Sequence, residues 1–276
     1  MSAPVPFTKM SGAGNDFIVL DGTAWSGLAG DRTAWVRAVC RRGLSVGADG
    51  VLVVSPEAPG RVRVEFFNPD GGMAFCGNGS RCAARFAVLR GLALGPTLTL
   101  KTAVGDVPAE LEGSAVRLTL PPPEDRGQVV LEVDGTTYRG RLVSAGVPHL
   151  VLPVTRLASF PLAEVGPALR KHPAFGPSGA NVNVVEGDDD GRVHVRTFER
   201  GVENETLSCG TGAVAVALAA RLAGAPETVV VVPRSRSMLT VTLRGDPRGA
   251  PLATLSGDAR IVFEGRLDAE ATTSPP

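Results

Sequence analysis

The sequence predicts an α/β (α+β) chain of two pseudo-symmetric halves, each mostly β-sheet wrapped around one central helix. Three observations carry this expectation. The first is an internal repeat. "CGNGSRCAARFAVLRG" from Cys76 and "CGTGAVAVALAARLAG" from Cys209 share seven of sixteen residues at a shift of 133. Upstream, "GRVRVEFFN" (Gly60 to Asn68) matches "GRVHVRTFE" (Gly191 to Glu199) in five of nine at a shift of 131, and "GNDFIVL" faces "GVPHLVL" at 132. Collinear blocks at nearly one offset indicate duplication. The second is a series of short β-branched runs between Gly, Pro and Asp. The third is one strongly apolar run after each Cys-Gly element.

Taken along the chain, "FIVLD", "GVLVVS", "RVRVEFF" and "TLTLKTA" are expected strands of the first half. The run after Cys76 is helical in composition. "PPPED" (Pro121 to Asp125) is the seam, because consecutive prolines deny both helix and central strand. The expected divisions are therefore residues 1–121 and 122–260. In the second half "NVNVVEGDDDGRVHVRTF" is an expected hairpin turning at Gly187 to Gly191. Its triple Asp lacks the remaining ligands of a calcium loop, so a solvated turn is expected. "AVAVALAARLA" is apolar nearly all round, the pattern of a helix buried on every side.

Composition narrows the function. The 276 residues carry 28 basic and 28 acidic side chains, so no net charge draws the chain to nucleic acid or to an anionic membrane. No apolar run approaches the roughly 18 residues of a membrane span. "MSAPVPFTKM" is not a secretory signal. A soluble, cytoplasmic protein is expected. Its four cysteines (Cys40, Cys76, Cys82, Cys209) are too few and too scattered for a disulfide scaffold, and three histidines give no metal-site spacing. No Walker or dinucleotide fingerprint is present.

Chemistry is expected at the two helix starts. A helix N-terminus leaves backbone N–H groups unpaired and favours negative charge. A thiol there ionises more readily, and the same N–H groups suit a carboxylate. Gly77, Gly79, Gly210 and Gly212 let the backbone approach a ligand. Cys76 and Cys209 are thus candidate acid–base groups, against the plainer reading of two small core residues. Cys40 and Cys82 have no such setting and are expected in the core. Pseudo-twofold packing would bring both sulfurs to one cleft, where one group removes a proton from carbon and the other delivers one to the opposite face. Asn68 and Glu199 end matching strands and are expected to face that cleft. Arg200 suits a second carboxylate, or else an exposed ion pair with Glu199. Asn15 is a ligand or a turn residue, Asn181 a ligand or a strand-start cap, and His149 a site group or a structural one.

"KMSGAGNDF", "GADG", "FNPDGGMAFCGNGSRC", "NVN", "FERGVENETLSCGTGA" and "VFEG", in this order along the whole chain, closely resemble the diaminopimelate epimerase family. The resemblance implies interconversion of LL- and meso-2,6-diaminopimelate by two cysteines without a cofactor, in lysine and peptidoglycan biosynthesis. It implies Cys76 and Cys209 as the acid–base pair, and Gly77, Asn78, Gly210 and Thr211 around the proximal carboxylate. Asn15, Asn68, Asn181, Glu199 and Arg200 would contact substrate, with His149 and Glu199 tuning the reacting end. It further implies two β-barrel-like lobes, a C-terminal strand at about 261–268 returning to the first lobe, no metal, and a homodimer. The chain departs from the family pattern at Val147, where an Asn is common, and at Gly50, where some members carry Gln. The spacing from Asn68 to Cys76 is one residue shorter than the family's, and that from Arg200 to Cys209 one longer than in many members. These departures leave open a cysteine-pair racemase or epimerase of another amino acid, such as histidine or hydroxyproline. A non-catalytic thiol redox protein is the reading from a different class.

Overall fold

The structure, a computed structural model, describes residues 4–273. In chain order the elements are β1 (Val5–Gly12), β2 (Asn15–Asp21), α1 (Gly22–Ser26), α2 (Arg32–Val39), β3 (Gly50–Ala58), β4 (Arg61–Phe67), β5 (Met73–Ala74), α3 (Gly77–Leu89), β6 (Thr97–Thr102), β7 (Gly105–Glu112) and β8 (Ala115–Leu120). Then come β9 (Glu124–Val133), β10 (Thr136–Ser144), β11 (Pro148–Pro153), α4 (Leu162–Arg170), β12 (Asn181–Gly187), β13 (Val193–Glu199), β14 (Asn204–Thr206), α5 (Gly210–Leu222), β15 (Thr228–Val232), β16 (Leu239–Arg244), β17 (Leu252–Asp258) and β18 (Arg260–Leu267). The described residues form two compact units, 4–118 with 258–273, and 119–257.

The units repeat one pairing scheme. In the first, β2 and β3 are parallel, β3 and β4 antiparallel, β4 and β6 parallel, and β6, β7 and β8 a meander. In the second, β11, β12, β13, β15, β16 and β17 pair in the same sequence of directions. β1 joins β2 and β10 joins β11, both antiparallel. The outer neighbour differs in origin. β10 takes β9, which precedes it in the chain, whereas β1 takes β18 from far downstream.

The central strands are buried on both faces, which explains apolar runs without alternation. In the first unit, Ile18, Leu20, Val51 and Val53 point to a cluster with Trp25, Trp35, Val36 and Val39 of α1 and α2. Their neighbours Phe17 and Leu52 point the other way, to α3. The second unit packs Leu150, Leu152, Val182, Val184 and Phe198 against Leu162 and Leu169 of α4. Each sheet curls round its own long helix: α3 packs against β1, β2, β3, β4, β6 and β7, and α5 against β10, β11, β12, β13, β15 and β16. α5 is buried from Gly212 to Leu218, as its all-round apolar pattern requires. The helices α1, α2 and α4 add an outer layer to the strands and central helices read from sequence. Among the described residues no helix is long and apolar enough to cross a membrane.

Candidate active site

In the first unit the site begins at the start of α3. Cys76 is the N-cap, in extended backbone, and its Sγ accepts the N–H of Gly79 at 3.3 Å. Gly79 brings the helix close to its neighbours: a Cβ there would sit 3.2 Å from the Leu52 Cδ2 methyl and 3.4 Å from the Cys76 Cβ. Asn78, in the first turn, is 2% exposed and donates Nδ2 to Asn15 Oδ1 at 2.7 Å. Asn15 in turn donates to Asp49 Oδ2 at 2.9 Å, which also takes the Asp16 N–H at 3.2 Å. Arg42 bridges Asp16 and Asp49, and Lys9 pairs with Asp16 at 2.7 Å. Burial opposes the Asp16 charge, but hydrogen bonds from Arg42 and Lys9 outweigh it and hold the carboxyl below its usual range. Asn78 Oδ1 is buried and has no partner among the described residues.

One turn deeper, Arg81 is wholly buried. Its Nε donates to the Asp258 carbonyl at 3.3 Å, and both Nη atoms have no partner among the described residues. Desolvation lowers its pKa, while Cys82, Cys76 and Asp258 pull it up, so a buried cation lies within electrostatic reach of the Cys76 sulfur. Cys40 and Cys82 differ from the helix-start cysteines: burial pushes each of these thiols up to about 12. They are core residues, inert as acids near neutrality.

The second unit builds the matching start of α5. Cys209 is the N-cap in the same extended conformation, with its Sγ 3.5 Å from Thr211 Oγ1. A Cβ on Gly212 would lie 2.6 Å from Asn183 Oδ1 and 3.3 Å from Cys209 Sγ. His149 and Asn181 stand opposite each other on parallel β11 and β12. Asn181 donates to the Pro148 carbonyl at 3.4 Å and accepts the Arg200 N–H at 2.8 Å. It therefore ties the β11 start to the end of β13. His149 is fully buried, and burial, helped by the Arg200 charge, pushes its pKa down to about 3.

Comparison with known proteins follows from this duplicated geometry. The family model for diaminopimelate epimerase matches residues 7–120 and 141–261. The chain belongs to the diaminopimelate epimerase family. A diaminopimelate epimerase of Aquifex aeolicus is 40% identical over 277 residues, covering 96% of this chain and 98% of its own. That of Gemmatimonas aurantiaca is 36% identical, covering 95% and 98%. Among solved structures, a hydroxyproline epimerase of Agrobacterium vitis, with bound trans-4-hydroxy-L-proline, superposes with a TM-score of 0.72 at 20% identity, covering 97% of this chain and 94% of its own. That likeness is one of fold.

Within this member of the diaminopimelate epimerase family, Cys76, Gly77, Asn78 and Asn15 gather at the α3 start, and Cys209, Gly210 and Thr211 form the α5 start. His149, Asn181 and Arg200 are linked through β11, β12 and the end of β13. Asn68 is held through its backbone, in a turn closed with Gly71 and Gly72 at 2.8 Å each. Glu199 closes the corresponding turn, its carbonyl accepting the Glu203 N–H at 2.8 Å. Gly50, the family departure, is explained by packing: a Cβ there would meet the Phe66 ring at 2.3 Å and the Phe67 carbonyl at 2.5 Å. Asp49, Asp16, Arg81, Asn183 and Thr197 are additions that sequence reasoning missed. Two of them carry a signal in hindsight. Arg81 and Arg85 put two cations four residues apart on one face of an otherwise small and apolar helix, and Asn183 is a polar residue in the apolar strand, two residues from Asn181 and so on the same face.

Proposed function

We propose that this chain catalyses the cofactor-independent epimerisation of LL-2,6-diaminopimelate to meso-2,6-diaminopimelate, an isomerase step of lysine and peptidoglycan biosynthesis. The observation that supports it most directly is the duplicated helix start: a cysteine at the N-cap and glycine at the first and third helical positions, at matched places in both units. One sulfur, as thiolate, takes the α-proton from one face of the carbon. The other, as thiol, gives a proton to the opposite face, so no atom is gained or lost and the configuration inverts. The first-turn N–H groups of Gly77, Asn78, Gly210 and Thr211 bind the proximal carboxylate and stabilise charge delocalised onto it in the transition state. Asn15, Asn68, Asn181, Glu199 and Arg200 contact the substrate, with Arg200 suited to grip the distal carboxylate as a fork. His149 and Glu199 tune the reacting end.

The experiment is α-proton exchange in D₂O with purified protein and no added cofactor. LL-diaminopimelate gains deuterium and converts to the meso form, read by mass and chiral chromatography. Cys76→Ala and Cys209→Ala each lose at least about 10²-fold in turnover; near-normal epimerisation by either variant defeats the cysteine pair. Turnover of histidine or hydroxyproline, with diaminopimelate untouched, transfers the same chemistry to another substrate. The working form is a cytoplasmic homodimer. Support comes from β18, which pairs in register with β1 and whose Ile261, Val262 and Phe263 are exposed. Sedimentation equilibrium checks this by giving twice the chain mass; a mass of one chain overturns it.

A further inference from the structure

One matched trio differs in kind between the units. Phe17, Leu52 and Phe66 occupy β2, β3 and β4, with Phe17 opposite Gly50 and Leu52 opposite Phe66. His149, Asn183 and Thr197 occupy the same register on β11, β12 and β13, with His149 opposite Asn181 and Asn183 opposite Thr197. The first trio is apolar, its phenyl rings edge to face at 5.9 Å. The second is polar and fully enclosed: His149 and Asn183 are 0% exposed and Thr197 is 4%. Burying three polar side chains where the duplicate uses hydrocarbon is costly unless their hydrogen bonds are made and used.

The bonds fix a direction. The Leu150 carbonyl can only accept, so the Asn183 amide atom 3.1 Å from it is Nδ2. Oδ1 then faces Thr197 Oγ1, which donates to it at 3.1 Å. The second hydrogen on Nδ2 meets His149 Nδ1 at 3.2 Å. Nδ1 must therefore present its lone pair, and the ring proton sits on Nε2. Nε2 is itself buried and has no protein partner among the described residues. Asn183 also lies against the catalytic turn, since the Cβ position of Gly212 is close to both Asn183 Oδ1 and Cys209 Sγ, at 2.6 and 3.3 Å.

We propose that Asn183 is a positioning residue which, oriented by Leu150 and Thr197, holds His149 as a neutral Nε2–H donor beside the Cys209 helix start. The role in turnover rests on the epimerase reading above. The donor meets anionic charge that develops there during the reaction. With Nδ1 already engaged, the ring carries no proton between groups, and proton transfer stays with the sulfur.

The test begins with ¹⁵N-histidine-labelled protein and long-range ¹H–¹⁵N correlation. With only three histidines, His149→Gln assigns the signals. The wild-type protein shows a pyridine-type Nδ1 and a pyrrole-type Nε2, unchanged from about pH 5 to about pH 8. An Nδ1–H ring, an imidazolium or a rapidly exchanging mixture overturns the proposal, and needs no variant to do so. Asn183→Leu, the residue of the first repeat, removes the bond that fixes the tautomer, and the Nδ1–H form becomes populated beside the Nε2–H form. It lowers kcat about tenfold or more, with KM within about twofold. Asn183→Asp replaces the donor by an acceptor and inverts the tautomer. A leucine variant with the wild-type spectrum and kcat also overturns the proposal. The tautomer is read without substrate, so an Nε2–H ring in a protein that does not epimerise diaminopimelate defeats the functional reading and leaves this one standing.

Discussion

At the scale of the residue, His149 shows how far burial alone can move a proton. An imidazole that would ordinarily titrate near 6.5 is pushed down to about 3, chiefly because the charged form is cut off from water. Folding thus favours the neutral ring. Below about pH 6.5 the unfolded chain binds a proton that the folded chain refuses, so the stability associated with His149 is complete above that pH. It falls as the pH drops toward about 3, at up to about 1.4 kcal/mol per unit. The variant His149→Phe, which restores the side chain of Phe17, is expected to flatten this acid limb in urea titrations repeated across the range. An unchanged slope would assign the acid sensitivity to carboxylates such as Asp16, which act in the same direction. The matched helix-start positions of Cys76 and Cys209 were legible because a repeat marks equivalent positions without any knowledge of the fold. Asn183, Thr197 and Asp49 were not, because a hydrogen bond between strands distant in sequence depends on register, and no local pattern encodes that.

At the scale of the element, the two central helices are held by close approach at their third residue. Gly212→Ala places a methyl group against Asn183 Oδ1, where either the amide or the helix must give way. The expected loss is about 1–3 kcal/mol of unfolding free energy by denaturant titration. Turnover falls as well, since the displaced amide and Cys209 share that turn. Gly187→Ala, at a position with nothing within 4 Å, is the control and stays near neutral. Strands such as Gly50–Ala58 and Asn181–Gly187 were legible as apolar β-branched runs, and the helices after each cysteine as runs too apolar for any solvent face. The outer helices were harder. They span 5, 8 and 9 residues, and the last contains Pro167, so none sustains a clear period. Asp21 and Asp31, which cap the first two, are the signals that could have found them.

At the scale of the whole molecule, the repeat hides an asymmetry of connection. The second unit is one continuous stretch, residues 119–257, while the first needs both residues 1–118 and the segment from 258 onward. A fragment of residues 119–257 is therefore expected to fold alone, with dispersed amide NMR signals and a cooperative melt. A fragment of residues 1–118 keeps β2 beside β1 but lacks β18 on its other side, and is expected to stay unfolded or aggregate until a peptide of residues 258–273 is supplied. The sequence repeat revealed the two halves because duplication preserves spacing. It did not by itself show that β18 fills the place of β9, because nothing in a strand's composition names its neighbour.

That asymmetry sets a timetable during synthesis. Val5–Gly12 leaves the ribosome 248 residues (260 − 12) before the segment that will flank it begins. At about 5–20 residues per second the delay is roughly 10–50 s. Through that interval the nascent N-terminal strand has an open flank, and the unit made after it completes its own strands before that flank is filled. The half translated first is thus the one completed last, and the stage at which a chaperone has most to protect.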